Sequence, residues 1–123
     1  MNNAALALVI EDDEDLSFIF AEALRAAGFE PEVVRDGRLA LDRLSQVMPS
    51  VVVLDLHLPH VAGTDILAQI RQSERLQKVR VIVATADARL AEQTNQQADI
   101  VLIKPITFSL LRDLTARLSK AAS

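Results

Sequence analysis

The sequence predicts an α/β domain in which a five-stranded parallel sheet is covered by helices on both faces. Short aliphatic runs alternate with segments of helical period, as βα repeats require. One run, Val51-Val52-Val53-Leu54, is β-branched and uninterrupted, the pattern of a strand buried on both faces. The length of 123 residues suits one such domain, and a chain of that size buries roughly two-thirds of its unfolded surface.

The elements follow in order. Leu6 to Ile10 is a short apolar strand that stops at acids. Leu16, Ile19, Phe20, Ala23, Leu24 and Ala27 recur at three- and four-residue steps, marking an amphipathic helix. Gly28 closes it, as expected just past a helix end. Residues 31–34 read as a second strand, Asp36-Gly37 as a turn, and residues 39–47 as a second helix stopped by Pro49. Val51 to Leu54 is the third strand, followed by a polar loop with Pro59 and Gly63. Thr64 or Asp65 can cap a third helix carrying Ile66, Leu67 and Ile70. Residues 79–84 form a fourth strand, 88–97 a polar helix, and Ile100 to Ile103 a fifth strand. Thr107 caps a last helix that buries Leu110, Leu111, Leu114 and Leu118. Right-handed crossovers leave few arrangements for these elements. The flavodoxin-like doubly wound (βα)5 order 2-1-3-4-5 follows, with its switch point between the first and third strands.

Composition excludes several function classes. There is no cysteine, which removes disulfides, thiolate metal sites and Cys nucleophiles, and suits a cytoplasmic location. The stretch from Met1 to Ile10 lacks a basic leader, and its apolar run ends at Glu11 to Asp15, too early for a signal peptide or a membrane span. A net charge of −4 argues against nucleic-acid binding. The local group Arg71, Arg75, Lys78 and Arg80 reads as a solvated helix end and loop. No linker or repeat interrupts the chain, so residues 1–123 are expected to form a single domain with no effector, either standing alone or cut from a longer protein.

The carboxyl ends of the strands carry the chemistry. The first ends in Glu11-Asp12-Asp13, the third in Asp55, the fourth in Thr85 and the fifth in Lys104. With strands 1 and 3 adjacent, Glu11, Asp12 and Asp55 converge. At about 5 Å and an effective dielectric of about 20, each carboxylate pair repels by roughly 3 kcal/mol. Such a cluster requires a raised pKa or a cation. With only oxygen ligands on offer, a small hard dication such as Mg2+ fits, because it takes one or two carboxylates and binds phosphate oxygens. Asp55 can then serve as a carboxylate nucleophile forming an aspartyl phosphate, while the Lys104 ammonium supplies charge and the Thr85 hydroxyl donates to a phosphoryl oxygen.

Taken together, Val9-Ile10-Glu11-Asp12-Asp13-Glu14-Asp15, Val52-Val53-Leu54-Asp55-Leu56-His57-Leu58-Pro59, Gly63, Ala84-Thr85-Ala86 and Lys104-Pro105 resemble the motifs of the response-regulator receiver family. The resemblance covers nearly the whole chain. It implies that Asp55 is the phosphoacceptor, Asp12 a direct Mg2+ ligand, and Glu11 a second acid acting largely through metal-bound water. The backbone carbonyl of His57 would be the third protein ligand, Thr85 the switch hydroxyl and Lys104 the phosphate-pairing ammonium, beside a cis-favouring Pro105. It also implies a partner histidine kinase or histidine phosphotransfer domain as donor, and a signalling module that catalyses only its own phosphorylation and dephosphorylation rather than an enzyme.

Three departures fall on the face receivers commonly use for output. Val101 stands where the family usually has Tyr or Phe, so an aromatic rotamer switch cannot operate. Gln97-Ala98 replaces the usual Gly-Ala, and the Thr85 to Lys104 interval is shorter than typical by about one helical turn. A shortened or irregular fourth helix is therefore expected, with altered or absent signalling through that surface. His57 and His60 read as exposed. The side chains of His57 and Asp87 fall at the pocket rim, where they can tune hydrolysis. Phe18 lies off the apolar stripe of the first helix, next to the active end, where phosphohistidine partners of this family dock.

Two rivals stand beside this reading. One is a pseudo-receiver, an interaction domain of the same fold that is never phosphorylated. The other is a phosphatase of the haloacid-dehalogenase type, which requires an acid two residues after the nucleophile, where His57 stands. A dinucleotide-binding enzyme lacks its Gly-x-Gly-x-x-Gly after the first strand.

Overall fold

The computed structural model describes residues 4–122, with side chains through 118. Met1, Asn2 and Asn3, the opening of the stretch read above for a leader, lie outside the described part. The strands are β1 (Leu6–Ile10), β2 (Glu30–Val34), β3 (Val51–Asp55), β4 (Arg80–Thr85) and β5 (Ile100–Ile103). The helices are α1 (Glu14–Ala26), α2 (Gly37–Leu44), α3 (Gly63–Gln72), α4 (Ala88–Thr94) and α5 (Phe108–Ala122), with one short 3-10 turn at Glu74–Leu76. All strand pairs are parallel and the order is β2-β1-β3-β4-β5, as the sequence predicts.

The alternation of side chains along each strand divides the core in two. Leu8, Ile10, Val52, Leu54, Val81 and Val83 face Ala40 and Leu44 of α2 and Ile66, Leu67 and Ile70 of α3, with Leu90 of α4 at the edge. On the other face Ala7, Val9, Val51, Val53, Ile82 and Ala84 meet Phe20, Ala23 and Leu24 of α1 and Leu111 of α5. Every residue of β3 is buried, and each large aliphatic side chain so placed contributes about 1.5–3 kcal/mol. β3 is thus a rigid central post, and Asp55 is its last residue.

Several local expectations are corrected. Asp36-Gly37 is a helix start rather than a turn: the Asp36 carboxylate accepts from the amides of Arg38 (2.7 Å) and Leu39 (3.1 Å), capping α2 two residues earlier than its apolar pattern suggests. Neither Thr64 nor Asp65 caps α3. Ala62 occupies that position without a side-chain bond, and the first amide, that of Gly63, donates instead to the Leu56 carbonyl at 3.1 Å.

The amide of Leu110 donates to the Thr107 hydroxyl at 3.1 Å, the expected cap of α5. In that helix Leu111 is buried but Leu110 is 44% exposed. The inward row runs Leu111, Thr115, Leu118, because Thr115 buries its hydroxyl by returning it to the Leu111 carbonyl at 2.7 Å. Leu110 lies about 100° around the helix from that row.

The basic group is not simply solvated. Arg71 donates to the carbonyls of Gln97 (2.6 Å) and Val79 (2.9 Å) and to the Asp99 carboxylate (2.9 Å), tying α3 to the start of β5. Arg75 holds the carbonyls of Leu44 and Val47. Both satisfy backbone acceptors left open at the ends of helices and strands and in the loops between them, a role that periodicity does not reveal.

Candidate functional site

The sheet register brings the predicted residues together. Ile10 pairs with Leu54, so Glu11 and Asp55 leave adjacent strands side by side. Thr85 pairs with Ile103, so Lys104 follows next to it, and the Lys104 amide donates to the Thr85 carbonyl at 2.8 Å. Glu11, Asp12 and Asp55 each present a carboxylate oxygen, and these lie within 4.8 Å of one another. Glu11 and Asp55 are 1% and 4% exposed, whereas Asp12 is open to solvent.

Lys104 offsets part of this charge: its Nζ donates to Glu11 Oε1 at 2.7 Å and lies 3.6 Å from Asp55 Oδ1. The Lys104-Pro105 peptide is cis. The Glu11 carboxyl is pushed up to about 7, chiefly by burial; the Lys104 bond opposes this and the Asp55 charge adds to it. A raised pKa beside a cation is the response expected of crowded carboxylates. Both Glu11 oxygens are engaged, Oε1 by Lys104 and Oε2 by the Asp13 amide at 3.2 Å. The donor set is all oxygen and fits a hard dication, with Asp12 the exposed acid of the three.

The walls of the pocket come from the loops. The Asp55 Oδ1 atom accepts from the His57 amide at 3.2 Å, which turns the chain away from β3. Thr85 is fully buried, and its hydroxyl oxygen accepts from the Asp87 amide at 3.0 Å, leaving the hydroxyl proton free to be donated. His57 Nε2 and Asp87 Oδ2 stand 4.0 Å apart, the histidine exposed and the aspartate half-exposed. His60 is exposed as predicted but not solitary, since its Nδ1 pairs with the capping carboxylate of Asp36.

Two contributors escape sequence reasoning. Gly63, read from the sequence as part of the loop after β3 and of the family motif, is the first residue of α3. A Cβ there would stand 2.3 Å from the Asp55 carbonyl oxygen and 2.6 Å from Leu56 Cα, so its missing side chain lets α3 close against the backbone of Asp55 itself. Gly63→Ala is expected to cost about 1–3 kcal/mol through overpacking and to displace Asp55. Urea denaturation with the amide spectrum of residues 54–58 measures both; an unchanged midpoint would show that the close approach carries no strain. The other is Arg35, whose Nε and Nη2 donate to the Asp12 carbonyl at 3.3 and 3.1 Å. No pattern in the sequence points to it.

The family model described as response regulator receiver domain matches residues 7–116. The chain belongs to that family. This receiver is 34% identical over 116 residues to the probable methanogenesis regulatory protein FilR2 of Methanothrix harundinacea, covering 85% of this chain and 75% of that protein. It is 33% identical over 111 residues to the sensory transduction protein RegX3 of Mycobacterium tuberculosis, covering 90% of this chain but 48% of that one. The chain thus spans about half the length of several curated relatives it matches. Among solved structures, the signal receiver domain of a LuxO repressor protein from Vibrio parahaemolyticus superposes with a TM-score of 0.85 at 30% identity, covering 97% of this chain and 92% of that one. The receiver's fourth helix has seven residues, short as the interval predicts, and Val101 is half-buried against the Leu90 side of the core. Among the described residues, no helix is long and apolar enough to cross a membrane.

Proposed function

We propose that this receiver domain accepts a phosphoryl group on Asp55 from a phosphohistidine of a partner histidine kinase or phosphotransfer domain, and works as a switch in the cytoplasm. The observation that carries the reading is the convergence of Glu11, Asp12 and Asp55 within 4.8 Å, beside a lysine that reaches two of them. A carboxylate oxygen of Asp55 attacks phosphorus, an O–P bond forms, the N–P bond breaks, and the imidazole nitrogen leaves with the electron pair and takes a proton. Lys104 pairs with a phosphoryl oxygen and the Thr85 hydroxyl donates to another, so charge is neutralised where it gathers. Asp12, Asp55 and the His57 carbonyl would hold Mg2+, with Glu11 acting through its water; bound there, the ion supplies charge neutralisation and alignment of phosphoryl oxygens. The chain acts on itself rather than turning over a separate substrate, and its 1–123 span functions as one receiver unit.

Intact-protein mass spectrometry after incubation with Mg2+ and acetyl phosphate tests this, with a chelated control. One added phosphoryl group, dependent on Mg2+, is expected. No adduct, even with a phosphohistidine donor and rapid sampling, would favour the second reading, a pseudo-receiver. That reading draws on the seven-residue α4 and on Val101.

Phe18 is 66% exposed on α1 and borders a shallow hollow with Glu14, Asp15 and Val33. An aromatic ring set among acids suits docking of the donor. Phe18→Ala is expected to slow transfer from the cognate partner by about tenfold, equivalent to about 1.4 kcal/mol, while leaving phosphorylation by acetyl phosphate unchanged. Equal rates from the partner for both proteins would remove the docking role.

A further inference from the structure

We propose that Arg35 is a positioning residue for the metal-binding carboxylate of Asp12; this rests on the metal site proposed above. Glu11 and Asp55 are fixed by burial and by their own bonds. Asp12 is different: it is exposed and belongs to neither strand nor helix. Its neighbour Asp13 is held twice, by the bond from its amide to Glu11 and by its own capping bond from the Leu16 amide at 2.9 Å. The peptide joining Asp12 to Asp13 is thus held on one side through its N–H, and on the other through the Asp12 carbonyl, which receives two N–H groups of one guanidinium, at 3.3 and 3.1 Å.

Arg35 reaches it because of the sheet. Val34 pairs with Ile10, and the Val34 carbonyl accepts from the Glu11 amide at 3.1 Å. Arg35 is the next residue out from β2, as Glu11 is from β1, and its side chain spans the remaining gap to Asp12. Together with the Asp13 amide bond to Glu11, the forked donor on the carbonyl fixes the peptide plane beside the Asp12 Cα, and so the point from which its carboxylate projects. Groups that orient ligands in this way commonly change metal affinity by tenfold or more without touching the metal.

Two effects of Arg35 oppose each other. Its positive charge disfavours a dication nearby, while its fork orders the ligand. The guanidinium is exposed, so its charge is screened by solvent, whereas the geometric constraint is not. Ordering therefore dominates, and loss of Arg35 weakens metal binding.

The test is a Mg2+ titration followed by amide chemical shifts, since the chain has no Trp or Tyr to report by fluorescence. Wild type, Arg35→Ala and Arg35→Lys are compared, with metal-free spectra recorded for each. Arg35→Ala is expected to bind Mg2+ about tenfold more weakly, with metal-free shifts changed only around residues 11–14. Arg35→Lys, which keeps the charge and one donor, is expected to recover part of that affinity. Equal or tighter binding by Arg35→Ala overturns the positioning role and leaves the metal site standing. Spectral change spread across the whole sheet also overturns it, by making the effect general destabilisation. Failure of wild type to bind Mg2+ overturns both the site and the inference built on it.

Discussion

Asp55→Asn is expected to abolish phosphoryl uptake altogether, with no adduct at any donor concentration under conditions that fully label the wild type. The amide keeps the shape of the carboxylate but not its nucleophilic charge, and no other carboxylate occupies its place at the end of β3. Glu11 is held by Lys104 and Asp13, with its carboxyl pushed up to about 7, so it is a poor substitute. Asp12 lies outside the strand in solvent. The substitution also relieves one carboxylate of the crowded pair, so the metal-free variant is expected to fold at least as stably as wild type. Intact mass and a urea melt on the same sample check both statements. An adduct on Asp55→Asn would mean that another group accepts the phosphoryl, and would overturn the assignment.

Lys104→Met should have the second largest effect, in two separable ways. Removing a charged donor aimed at a developing phosphoryl charge slows transfer by roughly a hundred- to a thousandfold. In the metal-free protein it also leaves Glu11 and Asp55 without their cation. Breaking a buried ion pair costs about 3–5 kcal/mol when the stranded charge cannot escape, but Glu11 escapes by taking a proton. Its folded-state pKa is raised from the ordinary carboxyl value of 4.5 to about 7, even with Lys104 holding it down. The native state therefore binds more protons than the unfolded chain across that interval, and this group's contribution falls as pH rises through it. Without Lys104 the folded pKa rises further and the decline extends to higher pH. Lys104→Met is thus expected to lie on the order of 2 kcal/mol below wild type at pH 8, with a smaller gap at pH 6, where Glu11 is already protonated. Urea melts in chelator at the two pH values measure it. A gap independent of pH would show that Glu11 does not respond to Lys104.

The fold, and the convergence of Glu11, Asp12 and Asp55, are legible in the residues alone. Strands buried on both faces read as continuous Val and Ile runs, helices carry their period, and the right-handed crossover rule leaves little freedom in ordering them. Once β1 and β3 are neighbours, Glu11, Asp12 and Asp55 have to meet, because strand ends in a parallel sheet lie at one edge. The shortness of α4 was likewise legible, as a count of residues between Thr85 and Lys104.

Contacts in which a side chain serves a distant backbone emerge only in three dimensions. Arg35 on the Asp12 carbonyl, Arg71 on the loop before β5 and the space at Gly63 have no periodic signature. Each depends on where a second segment's main chain happens to pass. Local pattern reports which face of an element is apolar; it does not report which carbonyl lies opposite an arginine. For the same reason Leu110 was placed inward: α5 has more leucines than its buried row can hold, and the hydroxyl of Thr115, satisfied by its own helix, fills the place a leucine would otherwise take.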